Sequence, residues 1–275
     1  VSVYIGSSTK NAEMKAYQDI VGILKSQGNT NLPVSPDIYP LSILRNIITY
    51  VSMVGAVLAI FLGFDAFSGE RENGTIKLLL TKPLYRDQIV TGKLLGAACV
   101  IGSLLGITLI VNIVLFGAVS GLIPDIGEIS RLAAFMIIAF LYMMSFYIAA
   151  LFVSIKTTNR AFGFMAMMIV WIFISFVIPQ LADTQRNFAY AMNATAQTVT
   201  QIPSDTTISK AVELFSPAVQ FTNIGKNLLQ VIPETADMNL SSLLLRQILP
   251  LIYMMAPGAV LLMASYRAVQ KEDAI

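Results

Sequence analysis

The chain alternates between long apolar stretches and shorter segments that carry its charges. Five stretches contain no Asp, Glu, Lys or Arg, and each can cross the hydrocarbon core of a bilayer, which needs a helix of about 20 residues. These stretches are Ile47–Phe64, Leu94–Ile123, Leu132–Ile155, Ala161–Ala182 and Gln247–Tyr266. The pattern predicts an all-α, polytopic helical membrane protein in which residues 1–275 form a single transmembrane domain.

The composition agrees with a chain that lies mostly in lipid. Hydrophobic residues make up 56% of the sequence and charged residues 12%, with a mean hydropathy of +0.71, whereas soluble domains carry about 25% charged residues. The net charge is only +2. This excludes nucleic acid as a main partner, because a protein that neutralises many phosphates needs a strongly basic surface.

The residues that usually carry chemistry are missing from the sequence. It has no histidine and one cysteine, Cys99, which excludes Ser-His catalysis, HExxH zinc motifs and cysteine metal clusters. Its 13 methionines are ordinary filler of apolar helices. It also lacks a Gly-x4-Gly-Lys-Ser/Thr phosphate loop. We therefore predict no catalytic residue, no metal site and no cofactor in this chain.

The Lys and Arg residues predict the orientation of the chain in a cell membrane. Residues 65–93, 156–160 and 267–275 hold nine Lys/Arg in 43 positions, whereas residues 1–45, 124–131 and 183–246 hold nine in 117. The positive-inside rule places the denser set in the cytoplasm. The N-terminal segment is then external and the C-terminus cytoplasmic. The N-terminal segment needs a way across the membrane, and the chain starts with the apolar Val1–Ile5. We therefore expect one further span before Val1, six in total; the alternative is an engineered or mature start at Val1.

Two segments are predicted outside the membrane. Residues 1–45 contain an amphipathic helical pattern at Met14, Tyr17, Val21 and Leu24. Residues 183–246 are polar up to Thr207 and amphipathic from Ile208 to Ile232, with a break at Ser216-Pro217. We interpret the second segment as short interfacial helices that cap the bundle.

Small residues recur at four-residue spacing within the apolar stretches. The sets are Gly55/Ala59/Gly63, Gly92/Gly96, Gly102/Gly106 and Gly117/Gly121. Such spacing allows two helix backbones to approach closely. It indicates either tight packing within one bundle or a seam between subunits.

The longest predicted cytoplasmic segment, residues 65–93, is the most informative. A charge cluster Glu70-Arg71-Glu72 lies just inside the membrane, Gly74 can end one short helix and Thr75 can cap the next, which Pro83 would stop. Asp87 can cap the helix that leads into the second apolar stretch. Arg86 and Lys93 are placed to meet lipid head groups. The spacing alone is equally typical of a solvated loop.

This segment resembles the first cytoplasmic loop of the ABC-2 family of ABC-transporter membrane subunits. The shared elements are Glu70-Arg71-x-x-Gly74-Thr75, the apolar run Leu78–Leu80, Pro83, the basic Arg86 and Gly92-Lys93. The six expected spans and the larger external segment before the last one are also similar to that family. The layout is similar to membrane subunits of the copper-enzyme maturation type and of sodium or antibiotic export systems.

The resemblance implies a permease subunit without ATPase activity of its own. In the family this loop docks on a separate nucleotide-binding subunit that holds ATP and magnesium, and two membrane subunits, identical or paralogous, act together, usually in export. The residues to which this coupling role carries over are Asp65, Glu70, Arg71, Glu72, Gly74, Thr75 and Pro83.

Two further questions stay open at this level. The apolar stretches hold no ionisable group of the kind that secondary transporters use, so a pathway would be lined by polar side chains; the candidates are Asn112, Tyr142, Ser145, Tyr147 and Ser175. The alternative function is a membrane channel, or a scaffold that recruits a soluble partner without ATP-driven transport.

Overall fold

In the computed structural model, five helical segments are long and apolar enough to cross a membrane. The structure describes residues 41, 44–75, 86–120, 126–185, 187–193, 198–204, 206–232, 235 and 238–271. Within these ranges the spans, first to fifth, are Arg45–Glu72, Asp87–Leu115, Ile126–Lys156, Arg160–Thr184 and Ile248–Gln270. This confirms the predicted helical membrane fold. The amphipathic pattern at Met14–Leu24 lies outside the described residues.

Individual helices and turns build these spans and the segments between them. In chain order the helices are α1 (Arg45–Tyr50), α2 (Ala56–Gly63), α3 (Ser68–Glu72), α4 (Arg86–Ser120), α5 (Ile126–Lys156), α6 (Arg160–Ile172), α7 (Ile178–Thr184), α8 (Thr207–Leu214), α9 (Pro217–Leu228), α10 (Leu240–Arg246) and α11 (Ile248–Lys271). Two π-helical turns interrupt the spans, Val51–Gly55 between α1 and α2 and Phe173–Val177 between α6 and α7.

The third span, formed by α5, is the centre of the bundle. In its most apolar stretch 67% of the residues are buried within the chain, against 17%, 11% and 17% for the second, fourth and fifth spans. Phe135, Tyr142 and Leu151 are among its fully buried side chains. The less buried spans pack against α5 on one side and leave their apolar outer faces for lipid or for another subunit.

The small residues of the first span allow it to lie directly against the third. A Cβ atom on Gly63 would lie 2.7 Å from Ala150 Cβ and 2.8 Å from the Tyr147 carbonyl oxygen, and one on Gly55 would lie 3.3 Å from the Met143 sulfur. Ala59 is fully buried. For this set the structure confirms tight packing within one bundle.

Helix α9 corrects the prediction that the 183–246 segment forms interfacial helices. The predicted break at Ser216-Pro217 is present, since Ser216 caps α9 and Pro217 is its first residue. However, α9 is part of the core: its Phe221 ring stacks on Tyr142, with centroids 4.4 Å apart. An amphipathic spacing identifies an apolar face but does not distinguish protein from lipid as its neighbour. Exposed apolar side chains remain on α8, such as Ile208, and on α10, such as Leu245.

A β-hairpin precedes α8 and was not predicted. Strand β1 (Asn187–Asn193) pairs antiparallel with β2 (Thr198–Ser204), and Tyr190 lies opposite Gln201. Apolar side chains at every second position of β1 (Phe188, Tyr190 and Met192) are typical of a strand, but the polar composition of the surrounding residues obscures this alternation. The hairpin is a small addition to an otherwise helical fold.

Candidate functional site at the charged end of the bundle

The three segments rich in Lys and Arg meet at one end of the bundle. We call this the charged end and define it by residues 65–75, 86–93, 156–160 and 266–270. Its segments touch through ion pairs and hydrogen bonds, such as Arg160 with Asp65 and Gln270 with Asp87. The structure thus places at one end of the bundle the described parts of the segments that the Lys/Arg count assigns to one side of the membrane.

The first span bends at the charged end, and a buried serine holds the bend. The backbone turns between α2 and α3, so the amides of Phe67 and Ser68 lie at the start of a new helix. At this position the preceding turn of the helix offers them no carbonyl oxygen as hydrogen-bond acceptor. Both donate to Ser154 Oγ on the third span, at 2.9 and 3.0 Å. Ser154 and Ser68 are fully buried. Ser154 therefore acts as a cap supplied by another helix and fixes the direction of α3.

Arg160 joins α3 to the beginning of the fourth span. Its Nε lies 3.1 Å from Asp65 Oδ1 and 2.8 Å from Glu72 Oε2, and its guanidinium Nη2 donates to the Gly69 carbonyl at 2.8 Å. One planar guanidinium thus bridges two carboxylates and a backbone oxygen, a task suited to arginine rather than lysine. Both ends of α3 are tied to the same side chain.

Lys93 joins α3 to the second span. Its Nζ lies 2.6 Å from Glu70 Oε1 and 5.1 Å from the centroid of the Phe67 ring. This corrects the expectation that Lys93 meets lipid head groups, because its ammonium is already bound by a carboxylate and an aromatic face. The Lys93 carbonyl also accepts a hydrogen bond from the Tyr147 hydroxyl at 3.0 Å.

The second and fifth spans are connected at the same end. Gln270 Nε2 donates to both Asp87 oxygens at 3.1 Å, and the hydroxyls of Thr91 and Tyr266 are 2.9 Å apart. Asp87 was predicted to cap α4, but α4 begins at Arg86. The carboxylate therefore lies within the first turn, where it still complements the helix dipole.

The remaining predicted coupling residues lie near the end of α3 or beyond it. Gly74 follows the end of the helix with a φ of +69°, a conformation that glycine adopts without strain, which confirms the predicted helix end, while its coupling role stays a prediction. Thr75 Oγ1 donates to the Glu70 carbonyl at 3.3 Å, and Arg71 lies partly buried in α3. Pro83 and the helix predicted before it lie outside the described residues.

The sequence matches a known protein family. The profile of the family described as "ABC-2 family transporter protein" matches residues 4–274, nearly the whole chain. The chain belongs to the ABC-2 transporter family. It is accordingly a multi-pass membrane protein, and its resemblance to that family, inferred from residues 65–93, is confirmed.

Two relatives share part of the sequence of this ABC-2 protein. The chain is 35% identical over 83 residues to a probable ABC transporter permease protein NosY of Pseudomonas aeruginosa, a match that covers 29% of this chain and 28% of that protein. It is 37% identical over 98 residues to the protein of the same name from Stutzerimonas stutzeri, covering 32% and 36%. The chain thus spans about a third of the length of these curated relatives.

The pathway candidates of this ABC-2 chain do not share one cavity. Tyr142, Ser145 and Tyr147 are buried on the third span, and the Tyr142 hydroxyl donates to the Ser52 carbonyl at 2.8 Å. Asn112 lines an apolar groove of about 460 Å³ between the first and second spans. Ser175 lines a different cavity, at the opposite end from the charged end. Their role in a pathway stays a prediction.

Sequence reasoning missed the residues that organise the charged end of this ABC-2 protein. Arg160 was counted only toward orientation, and Ser154 looked like one hydroxyl in an apolar helix. The sequence contains one signal of this pairing. The acidic residues within 65–72 and Arg160 lie on segments that the charge pattern assigns to the same side of the membrane, which favours ion pairs between them. The choice of partners depends on how the spans pack, which the sequence pattern leaves undetermined.

Proposed function

We propose that this chain is the membrane-spanning permease subunit of an ATP-driven ABC transporter that exports its cargo. A separate ABC-type ATPase subunit would bind ATP and magnesium and dock on the charged end, with residues 65–93 as its coupling segment. The observation that carries this proposal is the family match together with the position of α3. This short helix lies at the end of the first span, and it contacts the second, third and fourth spans. The charged end would then face the cytoplasm and the N-terminal segment the outside.

The contacts of α3 supply a route for coupling. A displacement of α3 would be transmitted to the second span through the Glu70–Lys93 ion pair. It would be transmitted to the third span through Ser154 and to the fourth through Arg160. Since the second span contacts the fifth through Asp87 and Gln270, every described span is connected to the charged end. An ATPase that binds α3 differently in its two nucleotide states would therefore bias the packing of the whole bundle.

Glu70 and Glu72 are unsuitable for testing this docking, because each is paired with a base of the same chain. Asn73 is a better position, since it is exposed at the tip of α3. We expect the full-length protein to co-purify from membranes with ATP-hydrolysing activity. The variant Asn73→Trp should reduce the recovered activity at least about tenfold, because a bulky side chain at a docking surface removes close contact.

The matched control for this experiment is Lys210→Trp, an equally bulky change at an exposed position of α8, at the other end of the bundle. It should leave the recovered ATPase activity unchanged. Recovery of no ATPase from the unmutated protein would overturn the proposal and favour a channel. A co-purifying ATPase whose inactivation leaves transport unaffected would favour a scaffold.

A second copy or a paralogue would pack along the second span. One face of α4 carries Gly92, Gly96, Cys99 and Ser103, all exposed, and Cβ atoms on Gly92 and Gly96 would meet no described atom within 4 Å. These glycines, unlike Gly63, make no close contact with the described part of their own chain. Their four-residue spacing supports a close helix–helix seam between subunits.

Cys99 gives a direct test of this seam, because it is exposed and is the only cysteine in the sequence. A short bismaleimide applied to membranes should link two copies, or one copy and its paralogue, through this residue. The control is Cys99→Ser combined with Ile169→Cys, which moves the thiol to an exposed position on the fourth span. Equal cross-linking from both positions would indicate random collision and contradict the seam.

A further inference from the structure

A polar cavity lies at the end of the bundle opposite the charged end. It has a volume of about 320 Å³ and lies between the first span, the fourth span and α9, at the lower limit of the range typical of ligand sites. Its lining includes Ser52, Ser175, Asp183, Glu213, Asn223 and Lys226. Asp183 directly follows the apolar stretch that ends at Ala182, so the cavity lies at the level where the membrane meets water.

The two π-helical turns of the spans both face this cavity. Ser52 belongs to the turn Val51–Gly55 and Ser175 to the turn Phe173–Val177. The carbonyl of Ser52 accepts from the Tyr142 hydroxyl, and that of Ile174 accepts from Ser216 Oγ, each at 2.8 Å. These side-chain bonds hold the turns in place. Such turns are frequent at functional sites, since they re-aim side chains within a helix.

Ser175 offers a polar group that needs a partner. Its Oγ is buried, and it has no hydrogen-bond partner among the residues that the structure describes. A buried hydroxyl without a partner is unfavourable. Ser175 lines the cavity, so a change of its side-chain rotamer would turn the hydroxyl toward a ligand with a hydrogen-bond acceptor, which would satisfy this group.

The charges around the cavity define the ligand further. Asp183 and Glu213 provide two carboxylates and Lys226 one ammonium. Both residues also make interactions within the chain, but a carboxylate has several acceptor sites and can accept an ammonium in addition. Met53, also in the lining, is 42% exposed on the apolar outer surface. The site therefore combines opposite charges with an apolar edge.

We propose that this cavity binds the head group of a membrane lipid that carries a primary ammonium and a phosphate. The ammonium would donate to Asp183 and Glu213, and the phosphate would accept from Lys226 and from the Ser175 hydroxyl. The acyl chains would leave past Met53 into the bilayer. The site is independent of the coupling role proposed for the charged end.

The test is native mass spectrometry of the purified full-length chain with three added lipids of identical acyl chains. Phosphatidylethanolamine should bind about tenfold more tightly than phosphatidylglycerol, which lacks the ammonium. It should also bind more tightly than phosphatidylcholine, whose quaternary ammonium donates no hydrogen bond. Lys226→Met and Ser175→Ala should each weaken phosphatidylethanolamine binding about fivefold or more.

Matched controls use the same substitutions away from the cavity. Lys156→Met at the charged end and Ser242→Ala on α10, both exposed, should leave lipid binding unchanged, and thermal unfolding identifies any variant that fails to fold. If Lys226→Met fails to fold, Ser175→Ala decides, because its hydroxyl makes no hydrogen bond to the described residues.

Three results would overturn the proposal. Equal binding of the three lipids would show that the head group is not recognised. Unchanged binding by Ser175→Ala and Lys226→Met would place the lipid elsewhere. Binding of soluble glycerophosphoethanolamine as tight as that of the lipid would assign the site to a water-soluble ligand rather than to the bilayer.

Discussion

Replacing Gly63 by alanine should destabilise the protein by roughly 2–3 kcal/mol, because the added methyl group has no space. Its Cβ would lie 2.7 Å from Ala150 Cβ and 2.8 Å from the Tyr147 carbonyl oxygen, and the second atom belongs to the backbone of the third span. No side-chain rotation relieves that contact. The first span must shift away from the centre of the bundle, and SDS titration followed by circular dichroism would measure the loss.

The matched control is Gly102→Ala, also a glycine-to-alanine change within a span. There the new Cβ would meet only the Phe140 ring, at 3.9 Å, which is an ordinary contact. We expect its stability to stay within about 0.5 kcal/mol of the unmutated protein. Equal stability of Gly63→Ala and Gly102→Ala would contradict the close packing of the first and third spans.

Ser154→Ala should cost about 2–4 kcal/mol, because it leaves two buried backbone amides, those of Phe67 and Ser68, without their acceptor. The loss should be largest at the charged end, so amide exchange of α3 should accelerate more than exchange in the rest of the first span. Hydrogen exchange read by mass spectrometry would separate this local opening from global unfolding.

Two further variants serve as an intermediate and as a control for the Ser154→Ala result. Ser154→Cys keeps a weak acceptor at the same position and should lie between alanine and serine in stability. Ser265→Ala removes a buried hydroxyl that bonds within its own helix, at 2.8 Å from the Leu261 carbonyl, and should have little effect. If exchange of the Phe67 and Ser68 amides is unchanged in Ser154→Ala, the proposed anchoring of α3 is wrong.

The five spans could be predicted because lipid imposes a simple rule on the sequence. An uncharged stretch of about 20 residues crosses the membrane as a helix, because the helix satisfies the backbone hydrogen bonds within the stretch itself, whatever its neighbours are. The charge pattern likewise predicted that residues 65–93, 156–160 and 267–275 lie on the same side of the membrane. Both predictions rest on properties of single segments, which the sequence shows directly.

The details of the site depend on pairs of segments, and here the sequence was insufficient. Glu70 and Glu72 are both acidic, yet one pairs with Lys93 and the other with Arg160. Which base each glutamate pairs with follows from the direction of α3, and this direction is set by Ser154. The burial of α9 was also missed, since Phe221 would occupy the same helix face against lipid as against Tyr142.

The anchoring of α3 by a distant serine also sets an order of events during synthesis. Ser154 follows Ser68 by 86 residues, and ribosomes add about 5–20 residues per second. For roughly 4–17 s the first span would lie in the membrane before its partner is made, with the amides of Phe67 and Ser68 bonded to water. The charged end would therefore assemble only after the third span has been inserted, and an ATPase subunit that recognises this end would find its docking surface only on chains that have passed this stage.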